Sequence, residues 1–251
     1  MTGPPSAGLR LRFLGSGDAF GSGGRFQTCI HLEVGTSQVL LDCGASSLIA
    51  MRRFGVDPQA IDTVILSHLH GDHFGGVPFL ILDGQFQRRT RPLLVAGPPG
   101  VDKRMGEAME VFFPGSSRIE RKFETRFVEL ADRAAIELGP VSVTGFEVSH
   151  ASGAPPFALR VAGEGKVVTY SGDTEWTESL LDAARGADLL IAEALFYDKR
   201  VKYHLDLATL LQHRARLECR RLVLTHMGED MLRRLPGLGI EAAEDGKELV
   251  V

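Results

Sequence analysis

Six consecutive residues, His68-Leu69-His70-Gly71-Asp72-His73, hold three imidazoles and a carboxylate. They follow Thr63-Val64-Ile65-Leu66-Ser67, whose β-branched apolar run reads as a fully buried strand. In an extended segment residues two apart point the same way, so His68 and His70 can bind one ion together. Gly71 lets the chain turn, and Asp72 and His73 then face the other side of that turn, where they can serve a second ion. Imidazole nitrogen combined with carboxylate oxygen suits zinc, and also manganese or iron. A lone histidine would read as a satisfied core residue. Four ligand-type side chains in six positions read as a metal site.

The same placement recurs downstream. His150 follows the strand pattern Val141 to Val148, Asp173 follows Lys166 to Tyr170, and His226 follows Arg221 to Thr225. Donors on strand-end loops converge on one edge of a rigid scaffold. Further strands are expected at Leu9–Leu14, Cys29–Val34, Val39–Leu41, Pro92–Ala96, Phe123–Leu130, Ala135–Leu138, Phe157–Val161 and Asp188–Ala192. Helical patterns fall at Ala45–Phe54, Gly75–Leu82, Val101–Phe112 and Glu175–Ala184, and in a segment that sets Leu207, Leu210, Leu211 and Leu217 on one face. Glu241 to Val251 is expected to fold back on itself as a hairpin around Asp245-Gly246. The glycine-rich stretch Gly15 to Gly24 invites a nucleotide-loop reading. It lacks a third glycine in register and leads into a strand rather than a helix, so a strand-joining loop fits better. The pattern is α/β, with two sheets face to face and helices outside. A single domain over residues 1–251 is expected, with residues 1–8 as its flexible tail.

The motif H-x-H-x-D-H with a distant His, Asp and His resembles the metallo-β-lactamase superfamily, and here every member is present. The resemblance implies a four-layer αββα sandwich with a dinuclear site at its edge. His68, His70 and His150 would hold the first ion, Asp72, His73 and His226 the second, and Asp173 would bridge them. Two divalent ions, zinc in the first instance and manganese or iron otherwise, would activate a shared water as hydroxide. Asp72 would both ligate and orient that nucleophile. Asp42, in Leu41-Asp42-Cys43-Gly44, would accept from a ligand imidazole or else cap the following helix.

Three segments resemble the phosphodiesterase branch that includes the transfer-RNA 3'-processing ribonuclease. They are Phe13-Leu14-Gly15-Ser16-Gly17 with Leu41-Asp42-Cys43-Gly44, the stretch Pro92 to Gly100, and Leu190-Ile191-Ala192-Glu193-Ala194-Leu195-Phe196 followed by His204. By that likeness Glu193 supports His204 as general acid toward a poor leaving oxygen. The branch's usual outer motif residues are replaced by Ala192 and Leu195. The processing nuclease carries a long RNA-gripping arm between its fourth histidine and its bridging aspartate. Here that interval is 173 − 150 = 23 residues, which leaves no room for an arm. A small phosphodiester is therefore expected as substrate and folded transfer RNA is not. The alternatives are a lactonase or thioesterase on the same ions, or a ligand-sensing module without turnover. Homodimers are common among the resembling enzymes.

Composition narrows the setting. In 251 residues, 28 Lys+Arg face 32 Asp+Glu, a net charge of −4 that argues against wrapping an extended polyanion. Three cysteines without a CxxC pair suggest small core residues in a reducing compartment, and no apolar stretch approaches a membrane span, so a cytoplasmic location is expected. Lys199, Arg200 and Lys202 could meet a phosphate or form a solvated loop. Arg88, Arg89 and Arg91, like Arg118, Arg121, Lys122 and Arg126, read mainly as solvated faces. His31 reads as a core histidine and His213 as exposed and inert.

Overall fold

The computed structural model describes residues 8–251. The expected tail, apart from Gly8, lies outside them. The chain opens with β1 (Arg10–Gly15), β2 (Cys29–Val34) and β3 (Ser37–Leu41), then α1 (Ser47–Arg53), β4 (Thr63–Ile65), α2 (Gly71–Phe74), α3 (Val77–Phe86), β5 (Leu93–Gly97), α4 (Val101–Phe112) and β6 (Thr125–Glu129). The second half runs β7 (Ala135–Leu138), β8 (Val141–Glu147), β9 (Phe157–Gly163), β10 (Lys166–Tyr170), α5 (Ser179–Ala184), β11 (Ala187–Glu193), α6 (Leu207–His213), β12 (Cys219–Thr225), α7 (Glu229–Arg234) and β13 (Glu248–Val250).

The strands form a seven-stranded sheet, β13-β1-β2-β3-β4-β5-β6, and a six-stranded sheet, β12-β11-β10-β9-β8-β7. Both follow one plan. An antiparallel meander, β1-β2-β3 or β7-β8-β9-β10, gives way to parallel strands, β3-β4-β5-β6 or β10-β11-β12. Parallel neighbours need crossovers, and these place helices on the outer faces. One apolar cluster, with Phe13, Ile65, Phe157, Tyr170 and Ile191, lies between the sheets. A second joins the first sheet to α1, α3 and α4 through Met51, Leu80, Met105 and Met109. A third joins the second sheet to α5, α6 and α7 through Leu180, Leu207, Leu210 and Met231. Three apolar seams between four layers are the expected αββα sandwich.

Helix α4 shows how pattern becomes packing: Val101, Met105, Ala108 and Met109 recur at helical spacing and are its buried residues. Two glycines bring the segment after β3 against the loop after β4. A Cβ on Gly44 would lie 2.2 Å from the Asp72 carbonyl oxygen, and one on Gly76 2.2 Å from that of Gly44.

Several expectations are corrected. The Asp245-Gly246 turn exists, but its flanks do not pair with each other: Ala242 bridges Leu224 beside β12, while β13 pairs with β1. The turn carries the chain from one sheet to the other. Helix α5 begins at Ser179, not Glu175, because Glu175 is held extended against Ser149. Leu211 points outward, 44% exposed, and Leu217 lies beyond α6. Arg89 is buried, not solvated, and donates to the carbonyls of Gln59, Ile61, Arg91 and Pro92 at 2.6–3.0 Å. No helix among the described residues is long and apolar enough to cross a membrane.

Candidate metal centre

All seven expected ligands meet at the carboxyl ends of the strands. His68 stands just past β4, and His70 precedes α2, whose first turn carries Asp72 and His73. His150 comes from the loop after β8, Asp173 from that after β10 and His226 from that after β12. They sort into two groups. His68, His70 and His150 bring one nitrogen each to within 4.8 Å of one another, and Asp72, His73, Asp173 and His226 do the same with their own donor atoms.

Hydrogen bonds fix which atom each imidazole presents. Asp42 Oδ2 accepts from His73 Nδ1 at 2.7 Å and from Ser67 Oγ at 2.7 Å, and Ser67 Oγ lies 3.0 Å from His68 Nδ1. A His68 N–H donating to Ser67, whose hydroxyl donates to Asp42, completes a relay. It leaves Nε2 of both His68 and His73 as free acceptors, and both atoms are buried without a hydrogen-bond partner. His150 Nδ1 donates to the Tyr203 carbonyl at 2.8 Å, which turns its Nε2 to within 3.0 Å of His70 Nδ1. Asp72 Oδ2 lies 3.1 Å from His73 Nε2 and 3.4 Å from His226 Nε2. Asp173 reaches both groups, with Oδ1 3.4 Å from His73 Nε2, and Oδ2 3.4 Å from His226 Nε2 and 4.0 Å from His68 Nε2. His68 Nε2, His73 Nε2 and Asp173 Oδ1 are buried without a hydrogen-bond partner, and the two donor sets, three nitrogens in one group and two nitrogens with two carboxylates in the other, fit a pair of divalent transition ions.

Charge follows the same division. Burial pushes the His68 and His70 imidazoles down, and neighbouring imidazoles push them further. Burial also opposes protonation of His73 and His226, but there the carboxylates outweigh it. Asp173, Asp72 and Asp42 raise His73 well above its ordinary value, and Asp173, Asp72 and Glu193 carry His226 up to about 10. Burial would raise the carboxyls of Asp72 and Asp173, yet their histidine neighbours hold both well below the carboxylate range. The carboxylate-bearing group thus demands positive charge, which a divalent cation would supply.

Glu193 is the last residue of β11 and is fully buried. Its Oε2 accepts from the backbone N–H of Thr174 at 2.8 Å and of Leu205 at 3.3 Å, while its Oε1 accepts from His204 Nδ1 at 2.5 Å. His204 remains partly open, with its Nε2 edge unengaged by that bond. Burial lowers its pKa but the Glu193 bond and charge prevail and raise it. Left-handed backbone occurs here at three non-glycine residues, Asp42 (φ 56°), Tyr203 (φ 72°) and His226 (φ 54°). Such strain persists where surrounding contacts overdetermine it.

The sequence reading missed Ser67 and Tyr203. The latter acts through a backbone carbonyl and leaves no side-chain signal. His31 bonds Gln38 at 2.6 Å within the first sheet, away from the ligands. Lys199 and Lys202 lie over the rings of Phe196 and Tyr203 at 5.0 and 4.5 Å. His213 is not idle: it stacks on Trp176 with ring centroids 3.9 Å apart.

A family model described as the beta-lactamase superfamily domain matches residues 37–227. The chain belongs to the beta-lactamase superfamily. Within this superfamily it is similar to a ribonuclease Z of Agathobacter rectalis, 27% identical over 261 residues, covering 83% of this chain and 84% of the relative. A ribonuclease Z of Methanosarcina acetivorans is 26% identical, covering 87% of each. Among solved structures, the short form of human tRNase Z superposes with a TM-score of 0.77 at 23% identity, over 96% of this chain and 99% of that one. A diphosphatase of the PhnP family gives 0.75 at 19%, over 97% and 98%. These neighbours share the αββα beta-lactamase fold, and the chain is a metal-dependent hydrolase of this superfamily that is similar to enzymes named ribonuclease Z.

Proposed function

We propose that the chain hydrolyses phosphodiesters with two divalent ions, zinc in the first instance. His68, His70 and His150 hold one ion, Asp72, His73 and His226 the other, with Asp173 between them. When bound, such a pair supplies a Lewis-acid clamp on phosphoryl oxygens and a nucleophile at neutral pH. The chain's own residues do the rest. The Asp42–Ser67 relay holds His68 and His73 in the tautomer that leaves Nε2 free. Asp72 orients the attacking oxygen, and Glu193 keeps His204 protonated at Nδ1, so that a proton on Nε2 can pass to the leaving oxygen.

The Glu193–His204 pair carries this reading. A phosphodiester alkoxide is a poor leaving group, and a positioned acid is worth typically 100-fold or more there. The relatives named ribonuclease Z support the same substrate class. A small substrate is favoured over folded RNA because residues 157–170, between His150 and Asp173, form only β9, a two-residue turn at Glu164-Gly165 and β10. The test pairs elemental analysis with turnover of bis-p-nitrophenyl phosphate, a dinucleotide and a precursor transfer RNA. Two ions per chain with turnover of the small esters is the expected result. Turnover of lactones or thioesters alone would overturn it, and efficient processing of the precursor would overturn the small-substrate part.

A further inference from the structure

Between α3, α4 and β6 lies a cavity of about 180 Å³, lined by none of the candidate ligands and by neither Glu193 nor His204. Ile81, Met105, Met109 and Phe127 give it apolar walls, and methionine chains are unbranched and adapt to different shapes. Gly106 also lines it from inside α4, where only proline is a poorer helix former, and a Cβ there would meet no atom within 4 Å. The glycine thus leaves open a space that most residues would narrow. The volume lies below the roughly 300–1,000 Å³ of drug-sized sites and equals about six water volumes of roughly 30 Å³ each. An occupant must be small.

The polar groups on this cavity are incompletely satisfied. Arg121 donates from its terminal nitrogens to the carbonyls of Ile119 at 3.2 Å and Ser116 at 2.5 Å, while its Nε is buried with no partner. Burial alone acts on its pKa and lowers it, and no carboxylate offsets that effect. Thr125 Oγ1, at the start of β6, is likewise buried without a partner, whereas the Ser117 hydroxyl is engaged by Glu110. Buried polar atoms are ordinarily hydrogen-bonded. Two that are not, together with a half-buried cation that has no counter-charge, belong to residues lining one cavity, and they call for an anionic partner. Asp102 lines the same cavity and stands exposed in the first turn of α4, which disfavours a second negative charge.

We propose that this cavity is a binding site for a small monocarboxylate with an aliphatic body, its carboxylate held by Arg121 and Thr125 and its chain by Met105, Met109 and Phe127. The site stands apart from the metal centre and does not depend on what the centre hydrolyses. An alcohol of the same length would bury the same chain without the charge that Arg121 requires. A dicarboxylate would bring its second charge toward Asp102.

The two wall methionines allow a direct test. The chain has six methionines, so protein labelled with methyl-13C methionine carries reporters at Met105 and Met109 and controls elsewhere, among them Met227 beside His226. Signals are assigned through Met105→Leu and Met109→Leu. Hexanoate titrated into the metal-loaded protein should shift the Met105 and Met109 methyl signals saturably, with a Kd of about 1 mM for a ligand of so few atoms. The Met227 signal should stay in place. Hexan-1-ol and adipate should each bind at least about 10-fold more weakly.

Thr125→Val keeps the side-chain shape without the hydroxyl and should weaken hexanoate about fivefold. Gly106→Leu, which fills the open space in a helix that favours leucine, should abolish the shift. No saturable movement of Met105 and Met109 by about 10 mM hexanoate, movement of Met227 in their place, or equal binding of hexan-1-ol would overturn the proposal. A shift that survives Gly106→Leu would put the carboxylate elsewhere and overturn it too.

Discussion

The two sheets repeat one plan but supply the centre differently. The first delivers His68, His70, Asp72 and His73 from one continuous segment that runs from β4 into α2, steadied by Asp42 just past β3. The second delivers one group per strand end: His150 after β8, Asp173 after β10, Glu193 closing β11 and His226 after β12. A contiguous motif is prearranged by local backbone, with Gly44 and Gly76 allowing the two loops to touch. A dispersed set is arranged only when four strands stand in register. Local geometry thus secures part of each candidate donor group, and the tertiary fold completes both.

That contrast can be broken experimentally. Asp173 approaches both donor groups, so Asp173→Ala should lower bound metal from two ions to fewer than one per chain and cut kcat/KM by about 1,000-fold or more, checked by elemental analysis and turnover. His150→Ala should remove one ion only, and loss of both would show that the dispersed half governs the whole site. His204→Ala should keep both ions yet lower kcat on an alkyl diester by about 100-fold. With p-nitrophenolate as leaving group it should change little. Asp42→Asn should weaken metal binding by roughly 10- to 100-fold by freeing the imidazoles of His73 and His68, as measured by competition with a chelator.

Smaller effects test the scaffold alone. Arg89 satisfies four carbonyls near α3 and β5, so Arg89→Ala should cost about 3 kcal/mol and lower Tm by roughly 10 °C, with turnover per folded molecule unchanged. Smallest is Glu241, whose carboxyl is drawn down to about 2 first by Arg221 and then by Lys247. A depressed carboxyl stabilises the fold above its ordinary value of 4.5 and loses that contribution as pH falls toward about 2. The pair is largely solvated, so Glu241→Gln should cost about 1 kcal/mol at neutral pH and nothing at pH 2 in denaturant titrations.

The same contrast explains what was legible. The loop from His68 to His73 announces itself because residue type and spacing are both local. His150, Asp173 and His226 were legible as strand-end residues, and their convergence came through the superfamily resemblance rather than from periodicity. Glu193 and His204, eleven positions apart, were found by likeness to a motif, and the structure joins them by one hydrogen bond. What escaped was carried by backbone or by burial. Tyr203 acts through its carbonyl, and the arginine run around Arg89 gave no sign that one side chain turns inward to serve backbone acceptors. The Asp245-Gly246 turn was visible, but a turn signal does not say which strands its flanks will pair with. His213 reads as exposed and inert within its own helix, because its stacking partner, Trp176, is 37 positions away.

That turn has a consequence for the order of assembly. Asp245 accepts from Ser16 N–H and Oγ and from Phe26 N–H at 2.7–2.9 Å, while the Ser16 carbonyl accepts from His226 N–H at 3.2 Å. Arg10 pairs with Val250, so the opening strand finds its outer neighbour at the far end of the chain. Closing so long a loop is entropically slow, and contacts of this separation form late in folding. A clasp of this kind sets a timetable: the loop under His226 locks only when β1 and β13 meet, so on the two-ion proposal the cation assigned to Asp72, His73 and His226 should be captured only in the final phase of refolding.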